Sequence, residues 1–422
     1  MRVTILHYTA PPVVGGVETV IAYHARELMD NDHSVTILAG RGGDDARLAN
    51  ANVVIFPELD SQHPDNLQIA QRLEQGMVPP EFHMLQTRIV ESLASHCAHS
   101  DVMIAHNVFN FHFNLPLLAA LHQMIDRGML PRVIAWCHDI SRYVNPMSGA
   151  ELRFGFPWDL LRTYRREVTY VAVSPQRQRT LAGILGCPPE WIRVIPNGVD
   201  AKTLWSLSGL TWRLVGEHDL LEADLIVLMP IRITRAKNIE YALQVIVALK
   251  ALDLRPKLVV TGPPDPHSPD SQSYWNELLA LRHELGLDQD VIFIYEGTSH
   301  LPGPLMIDAP VVAELYRVCD VVLMPSLREG FGIPILEGGL AGKPVFCTAV
   351  PVLEEIGTES VYRIETGEPP DHVAARIQAW AQQDTTHRLR LRVRQEFTWP
   401  AIFGSAIEPL ITHRLERMEQ EL

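Results

Sequence analysis

Short, nearly continuous apolar runs alternate along this chain with longer segments of mixed character. The first series is Val3–Tyr8, Val35–Ala39, Val53–Phe56, Val102–His106, Val133–Trp136 and Val171–Val173. A second series is Ile226–Met229, Leu258–Thr261, Val291–Tyr295, Val321–Met324, Val345–Cys347 and Val361–Ile364. Apolar runs without polar alternation predict parallel strands covered on both faces. Strand and helix in repeated alternation predict doubly wound α/β sheets, which take ligands at the carboxyl ends of their strands.

The first series closes at Pro196-Asn197-Gly198-Val199-Asp200, and Ala201–Leu220 is irregular and polar. The pattern therefore predicts two Rossmann-like domains, residues 1–204 and 205–398, each with its own core. Pro263–Pro269 and Pro302–Pro310 are expected as surface loops. Trp399–Leu422 is expected as a helix with Pro400 in its first turn. Its apolar positions Ile402, Phe403, Ile407, Leu410 and Ile411 would, on spacing alone, pack on the nearer second domain.

Composition narrows the class. Of 422 residues 47% are apolar and 20% charged, enough for real cores without metal or disulfide staples. A formal net charge of -14 repels phosphate backbones, so no nucleic-acid partner is expected, while a local cationic pocket for a small anion remains open. Five cysteines without a C-x-x-C pair read as reduced thiols of a cytoplasmic protein. MRVTILHY enters a strand directly and does not resemble a signal peptide. No stretch of about 18 apolar residues predicts a membrane span, which leaves only peripheral membrane contact open.

Four strand ends carry candidate chemistry. Gly15-Gly16-Val17-Glu18 lies between the first strand and a helix expected from Thr19. Such glycines either admit a phosphate to backbone N–H groups or serve a turn that needs positive φ. It is not G-x-G-x-x-G, so a nicotinamide site lacks its fingerprint. Trp136-Cys137-His138-Asp139 ends a buried strand, either in a ligand crevice or as a local hydrogen-bonded pair. Arg232-Ile233-Thr234-Arg235-Ala236-Lys237-Asn238 precedes the helix expected over Ile239–Leu249. Cations at a helix N-terminus are unfavourable until an anion arrives, which points to a bound diphosphate.

The most specific string is Ser326–Glu337, where Glu329 and Glu337 flank a Gly330-Phe331-Gly332 turn and Pro334. Carboxylates accept vicinal hydroxyl pairs well, as sugars present them. His106-Asn107 and Phe109, Phe111 and Phe113 either line an acceptor side or pack in the core. Arg162, Arg165 and Arg166 read as a solvated face or an anion contact. His96 and His99, beside Cys97, lack a second pair, and no metal site is expected.

Glu329–Glu337 resembles the E-x7-E motif of retaining glycosyltransferases of family 4, which have the GT-B fold. Gly15–Glu18, His138-Asp139, Val173-Ser174, Ile195–Asp200, Arg232 with Lys237, and Gly342-Lys343-Pro344-Val345 are similar to that family in the same order. The resemblance implies two Rossmann-like domains facing a central cleft, with the C-terminal helix crossing back onto the first domain. It implies that Glu337 holds the ribose and that Glu329 with the Phe331-Gly332 backbone holds the donor sugar. Arg232 and Lys237 would bind the diphosphate, with Gly15 and Gly16 closing from the first domain and His138 beside the sugar. Asp139, His106, Asn107 and Asn197 are left for the acceptor side. The expected substrate is a nucleoside-diphosphate sugar, with no other cofactor, no metal, and retention by front-face attack. Ile231-Arg232 for the commoner Gly-Arg and Glu337-Gly338-Gly339 for Glu-Ala-Met depart from the family. A retaining disaccharide phosphorylase and a non-catalytic sugar-binding module are the alternatives.

Overall fold

A computed structural model of the chain describes residues 1–48, 50–298 and 301–412. Among them, seven parallel strands form the first sheet: β1 (Arg2–Leu6), β2 (Ser34–Ala39), β3 (Asn52–Ile55), β4 (Val102–His106), β5 (Arg132–Cys137), β6 (Val168–Ala172) and β7 (Ile192–Val194), in the order β3-β2-β1-β4-β5-β6-β7. Six more form a second parallel sheet: β8 (Leu225–Met229), β9 (Pro256–Val260), β10 (Val291–Phe293), β13 (Val321–Met324), β14 (Val345–Thr348) and β15 (Tyr362–Ile364), ordered β10-β9-β8-β13-β14-β15. Between them in sequence, β11 (Gly297–Thr298) and β12 (Leu301–Pro302) pair antiparallel on their own.

The expected apolar runs all became strands; the central ones lie between two apolar layers, while the edge strands β3 and β15 are largely uncovered. On one face of the first sheet Leu6, Met103, Ala105, Val133 and Ala135 join Leu93, Leu117 and Leu121. On the other Val3, Ile5, Ile104, Ile134 and Trp136 join Ile21, Ala25 and Leu28. The second sheet is likewise sandwiched, Val227, Leu258 and Leu323 on one side and Ile226, Leu228 and Val322 on the other. Each sheet reverses its strand order once. The reversal falls between β1 and β4 in the first and between β8 and β13 in the second, the crevice positions of doubly wound sheets.

The chain divides into two compact units, Met1–Gly198 with the segment from Trp399, and Val199–Thr398. The first crossing comes earlier than residue 204, because Val199 N donates to the Phe397 carbonyl at 2.8 Å and Val199 bridges to Thr398. Trp399 lands against Gly198, where a side chain would put its Cβ 2.7 Å from the indole, so glycine is needed for the close approach.

The C-terminal segment packs on the first unit, which corrects the reading from spacing alone. Trp399 stacks on Tyr23 at 5.2 Å, and Ile402, Phe403, Ile407, Leu410 and Ile411 join the cluster of Val3, Ile5 and Ile21. Glu408 bonds His33 at 2.9 Å, and Arg132 donates to the carbonyls of Leu410 and Ile411. The helix Trp399–Ile402 passes through a π-helical stretch, Phe403–Ile407, before Glu408–Thr412; the remainder of the expected helix lies outside the described residues. No helix among the described residues is long and apolar enough to cross a membrane.

Candidate active site

In the first unit, the strands beside the reversal bring three histidines together. His7 follows β1, His106 ends β4 and His138 follows β5. His7 Nδ1 donates to the His106 carbonyl at 2.8 Å. His106 Nδ1 and His138 Nε2 lie 2.9 Å apart, with the two rings stacked at 5.3 Å. A fourth, His24 from the helix Gly16–Asp30, packs against His106, Trp136 and Trp399. Burial pushes His24 and His138 down to about 3, aided in each by a neighbouring histidine, and holds His106 well below its ordinary value. The cluster is therefore neutral near pH 7. It offers N–H groups and lone pairs suited to an uncharged hydroxylated ligand rather than to phosphate.

Asn107 orders the strand end beside it. Its φ of 56° is left-handed, a conformation asparagine tolerates better than most residues. Its Oδ1 accepts from the backbone N–H of His138 at 2.8 Å and of Asp139 at 3.2 Å. Asp139 turns outward to an ion pair with Arg177 at 2.9 Å, with 58% of its side chain exposed. Asn197 is exposed beyond β7, the sheet's edge strand, and is not brought to the histidines.

The glycine loop differs from one expectation. Gly15 caps the helix Gly16–Asp30 with φ -171°, extended backbone open to any residue. A Cβ there would lie 2.1 Å from Glu18 Oε2, so a larger residue would displace the Glu18 side chain. Gly16 faces open space, and the cap has no side-chain hydrogen bond, so the first-turn N–H groups are left available. Glu18 accepts from Thr9 Oγ1 at 2.5 Å and lies 3.9 Å from His7 Nε2.

In the second unit, the loops after β8 and β13 meet across the reversal. Leu327 N donates to the Ala236 carbonyl at 2.8 Å, and Lys237 Nζ lies 2.5 Å from Glu329 Oε1. Ser326 Oγ donates to the same carboxylate oxygen at 2.7 Å. Only 6% of the Glu329 side chain is exposed, so Lys237 is its main counter-charge. Arg232 rides on a tight crossing of Ile231 over Gly262, where a Cβ would meet the Ile231 carbonyl at 2.2 Å. Its side chain is exposed and has no partner among the described residues. Arg235 does not join this pair. It is held by both Glu277 oxygens, at 2.9 and 2.8 Å, and lies over the Tyr274 ring at 4.5 Å. Of the cations in the loop after β8, Arg232 and Lys237 are thus the two not held by Glu277.

Gly332 requires glycine on two counts: φ is 90°, and a Cβ would sit 2.5 Å from a Leu353 methyl. It starts the helix Ile333–Leu340, with Pro334 in the first turn, while Phe331 is exposed. Glu337 is exposed on that helix. Tyr316, a residue that the motif reading did not single out, donates its hydroxyl to Glu337 Oε2 at 2.8 Å. Burial and this carboxylate push the Tyr316 phenol up.

The remaining candidates separate. Phe109 is core and Phe113 half exposed. Arg162 and Arg165 pair with Asp159 and with Asp126 and Glu167. His96 packs on Phe56, and no group of three or more His, Cys, Asp or Glu able to hold a metal occurs among the described residues.

Two Rossmann-like units, each with candidate chemistry at its strand reversal, place the chain among doubly wound α/β proteins. Residues 14–203 match the family model for Glycosyltransferase Family 4, and residues 212–396 match that for Glycosyl transferases group 1. The chain belongs to the family 4-type glycosyltransferases. It is 28% identical over 207 residues to an uncharacterized glycosyltransferase of Methanocaldococcus jannaschii, covering 47% of this chain and 46% of that one. It is 30% identical over 184 residues to D-inositol 3-phosphate glycosyltransferase of Stackebrandtia nassauensis, covering 43% and 38%. These matches span less than half of either relative. MMP alpha-(1→4)-mannosyltransferase of Mycolicibacterium hassiacum aligns at 23% identity over 84% of this chain and 83% of its own. HepE of Anabaena, solved with UDP-glucose, aligns at 19% identity with a TM-score of 0.35 over 97% of this chain and 99% of that one.

Proposed function

We propose that the protein transfers a hexose from a nucleoside-diphosphate sugar to an acceptor hydroxyl, with retention of configuration and without a divalent metal. The observation that carries this reading is the arrangement at the β8/β13 reversal. Arg232, without a partner among the described residues, and the Lys237–Glu329 pair lie there, with Glu337 on the helix that follows. Cations suit a diphosphate, and carboxylates suit hydroxyls. Glu337 holds the ribose, and Glu329 with the Phe331-Gly332 backbone holds the hexose. Arg232 and Lys237 take the charge that grows on the diphosphate as the C1–O bond breaks. The acceptor oxygen bonds to C1 on the face the diphosphate leaves, and its proton passes to a phosphate oxygen. His138, neutral, donates or accepts a hydrogen bond at the sugar. The mannosyltransferase relative supports a hexose donor. The free cysteines suit a reducing cytoplasm.

A disaccharide phosphorylase would give Glu337 no ribose to hold. Glu337→Ala is therefore expected to weaken nucleoside diphosphate binding about a hundredfold, from two hydrogen bonds to a charged acceptor. Titration calorimetry with UDP, GDP and ADP checks this, and unchanged affinity for the nucleotide that binds would remove the ribose assignment. Turnover is expected to continue in EDTA, because Arg232 and Lys237 supply the charge that a metal would. Activity lost in EDTA and restored by Mg²⁺ would reverse that part of the reading.

A further inference from the structure

We infer that Tyr316 is a positioning residue for the nucleotide, setting the Glu337 carboxylate so that the site distinguishes ribose from deoxyribose. The inference rests on the ribose role proposed for Glu337 and adds the group that prepares it. Tyr316 lies near the end of the helix Ala309–Val318, ahead of β13, and is 4% exposed. Its ring packs in the core cluster with Leu315, Val322 and Ile335, so the phenol is fixed in place. Its hydroxyl crosses to the helix Ile333–Leu340, donating to Glu337 Oε2 at 2.8 Å, with the Pro334 carbonyl 3.4 Å away.

The direction of this bond is unambiguous. A carboxylate only accepts and a phenol beside it donates, and burial together with Glu337 keeps the phenol protonated. Glu337 itself is exposed, so without Tyr316 its carboxylate would sample several rotamers. With Oε2 held on one side, the remaining lone pairs of both oxygens are turned outward together. That is the geometry in which one carboxylate accepts from neighbouring 2′- and 3′-hydroxyls. Glu329 is prepared the same way by Ser326 and Lys237, and Tyr316 is the side-chain donor to Glu337 among the described residues. Ordering the carboxylate before the ligand arrives removes part of the entropy lost on binding.

Tyr316→Phe keeps the ring and its packing and removes only the oxygen. The test uses whichever of UDP, GDP and ADP binds the wild-type protein, together with its 2′-deoxy counterpart. Calorimetry is expected to show affinity for the ribonucleotide falling about three- to tenfold in Tyr316→Phe, from the freed side chain. The deoxynucleotide should lose less, so the ribose preference narrows. In Glu337→Ala, adding Tyr316→Phe should change neither affinity. An unchanged ribose preference in Tyr316→Phe, with Glu337→Ala clearly weakened, overturns the positioning role and leaves the ribose role standing. Unchanged affinity in Glu337→Ala instead overturns the ribose reading itself. An additional loss in the double variant would show that Tyr316 acts other than through Glu337, which also overturns the inference.

Discussion

Lys237→Ala is expected to lower kcat/KM by about a thousandfold, the largest single loss in the proposed site. Two physical effects coincide there. The ammonium is a fixed cation at the reversal between β8 and β13, where a departing diphosphate would gain charge, and removing such a group costs about 10²–10³ in rate. It is also the counter-ion of Glu329, at 2.5 Å, and the Glu329 side chain is only 6% exposed. An enclosed carboxylate that loses its partner draws in water or a proton, and either disturbs the hydroxyls it is proposed to hold. Lys237→Ala with Glu329→Gln separates the two effects. The pair should regain thermal stability lost in Lys237→Ala, because the orphaned charge is gone, yet recover no activity. Steady-state kinetics with melting curves read both. A Lys237→Ala enzyme within threefold of wild-type kcat/KM would place the phosphate elsewhere.

The second large effect is acid lability concentrated in the first unit, where most of the buried histidines with lowered pKa lie; His218 of the second unit is lowered by burial too. His24 and His138 are held down to about 3, and His112 and His122 to about 4, each chiefly by burial. All four are neutral when folded and take up protons on unfolding, where the ordinary value is 6.5. Stability from these groups is complete above that value and falls as pH drops through it toward the folded values. At pH 5 each group costs roughly 2 kcal/mol, so the four remove on the order of 5–10 kcal/mol. That is comparable to the whole stability of a domain. Calorimetry from pH 7.5 to 5 should show the transition of the first unit move to lower temperature and separate from that of the second. His122→Leu, away from the proposed chemistry, should flatten the dependence by about one proton. A transition temperature unchanged down to pH 5 would mean that these rings are hydrated rather than enclosed.

Much of this arrangement was legible in the chain. Doubly covered strands announce themselves because neither face can carry polar residues, and the E-x7-E string stands out because its glycines, proline and two carboxylates fall together. β7 was missed because Ile192–Val194 has only three residues with Arg193 in the middle, too short for any periodicity. The histidine cluster was only partly visible. His138 and His106 were marked by their strand ends, but His7 and His24 join them only once the sheet has brought β1 beside β4. Tyr316 carried no signal, since a tyrosine on a helix's apolar face looks like core until its hydroxyl is seen to reach Glu337. Whether Arg235 joins Arg232 and Lys237 could not be read from the string, because Glu277, which holds it, lies 42 residues away. Of the two readings of Gly15, the turn needing positive φ is not found, since its backbone is extended.

The central claim, retaining transfer from a nucleoside-diphosphate hexose, is tested most directly by proton NMR of the anomeric signal early in turnover. UDP-, GDP- and ADP-hexoses are each supplied with the enzyme, using water or a candidate sugar as acceptor. The account predicts release of nucleoside diphosphate from one of them and a first-formed product with the donor's anomeric configuration. An inverted first product, or no release from any donor, would contradict it.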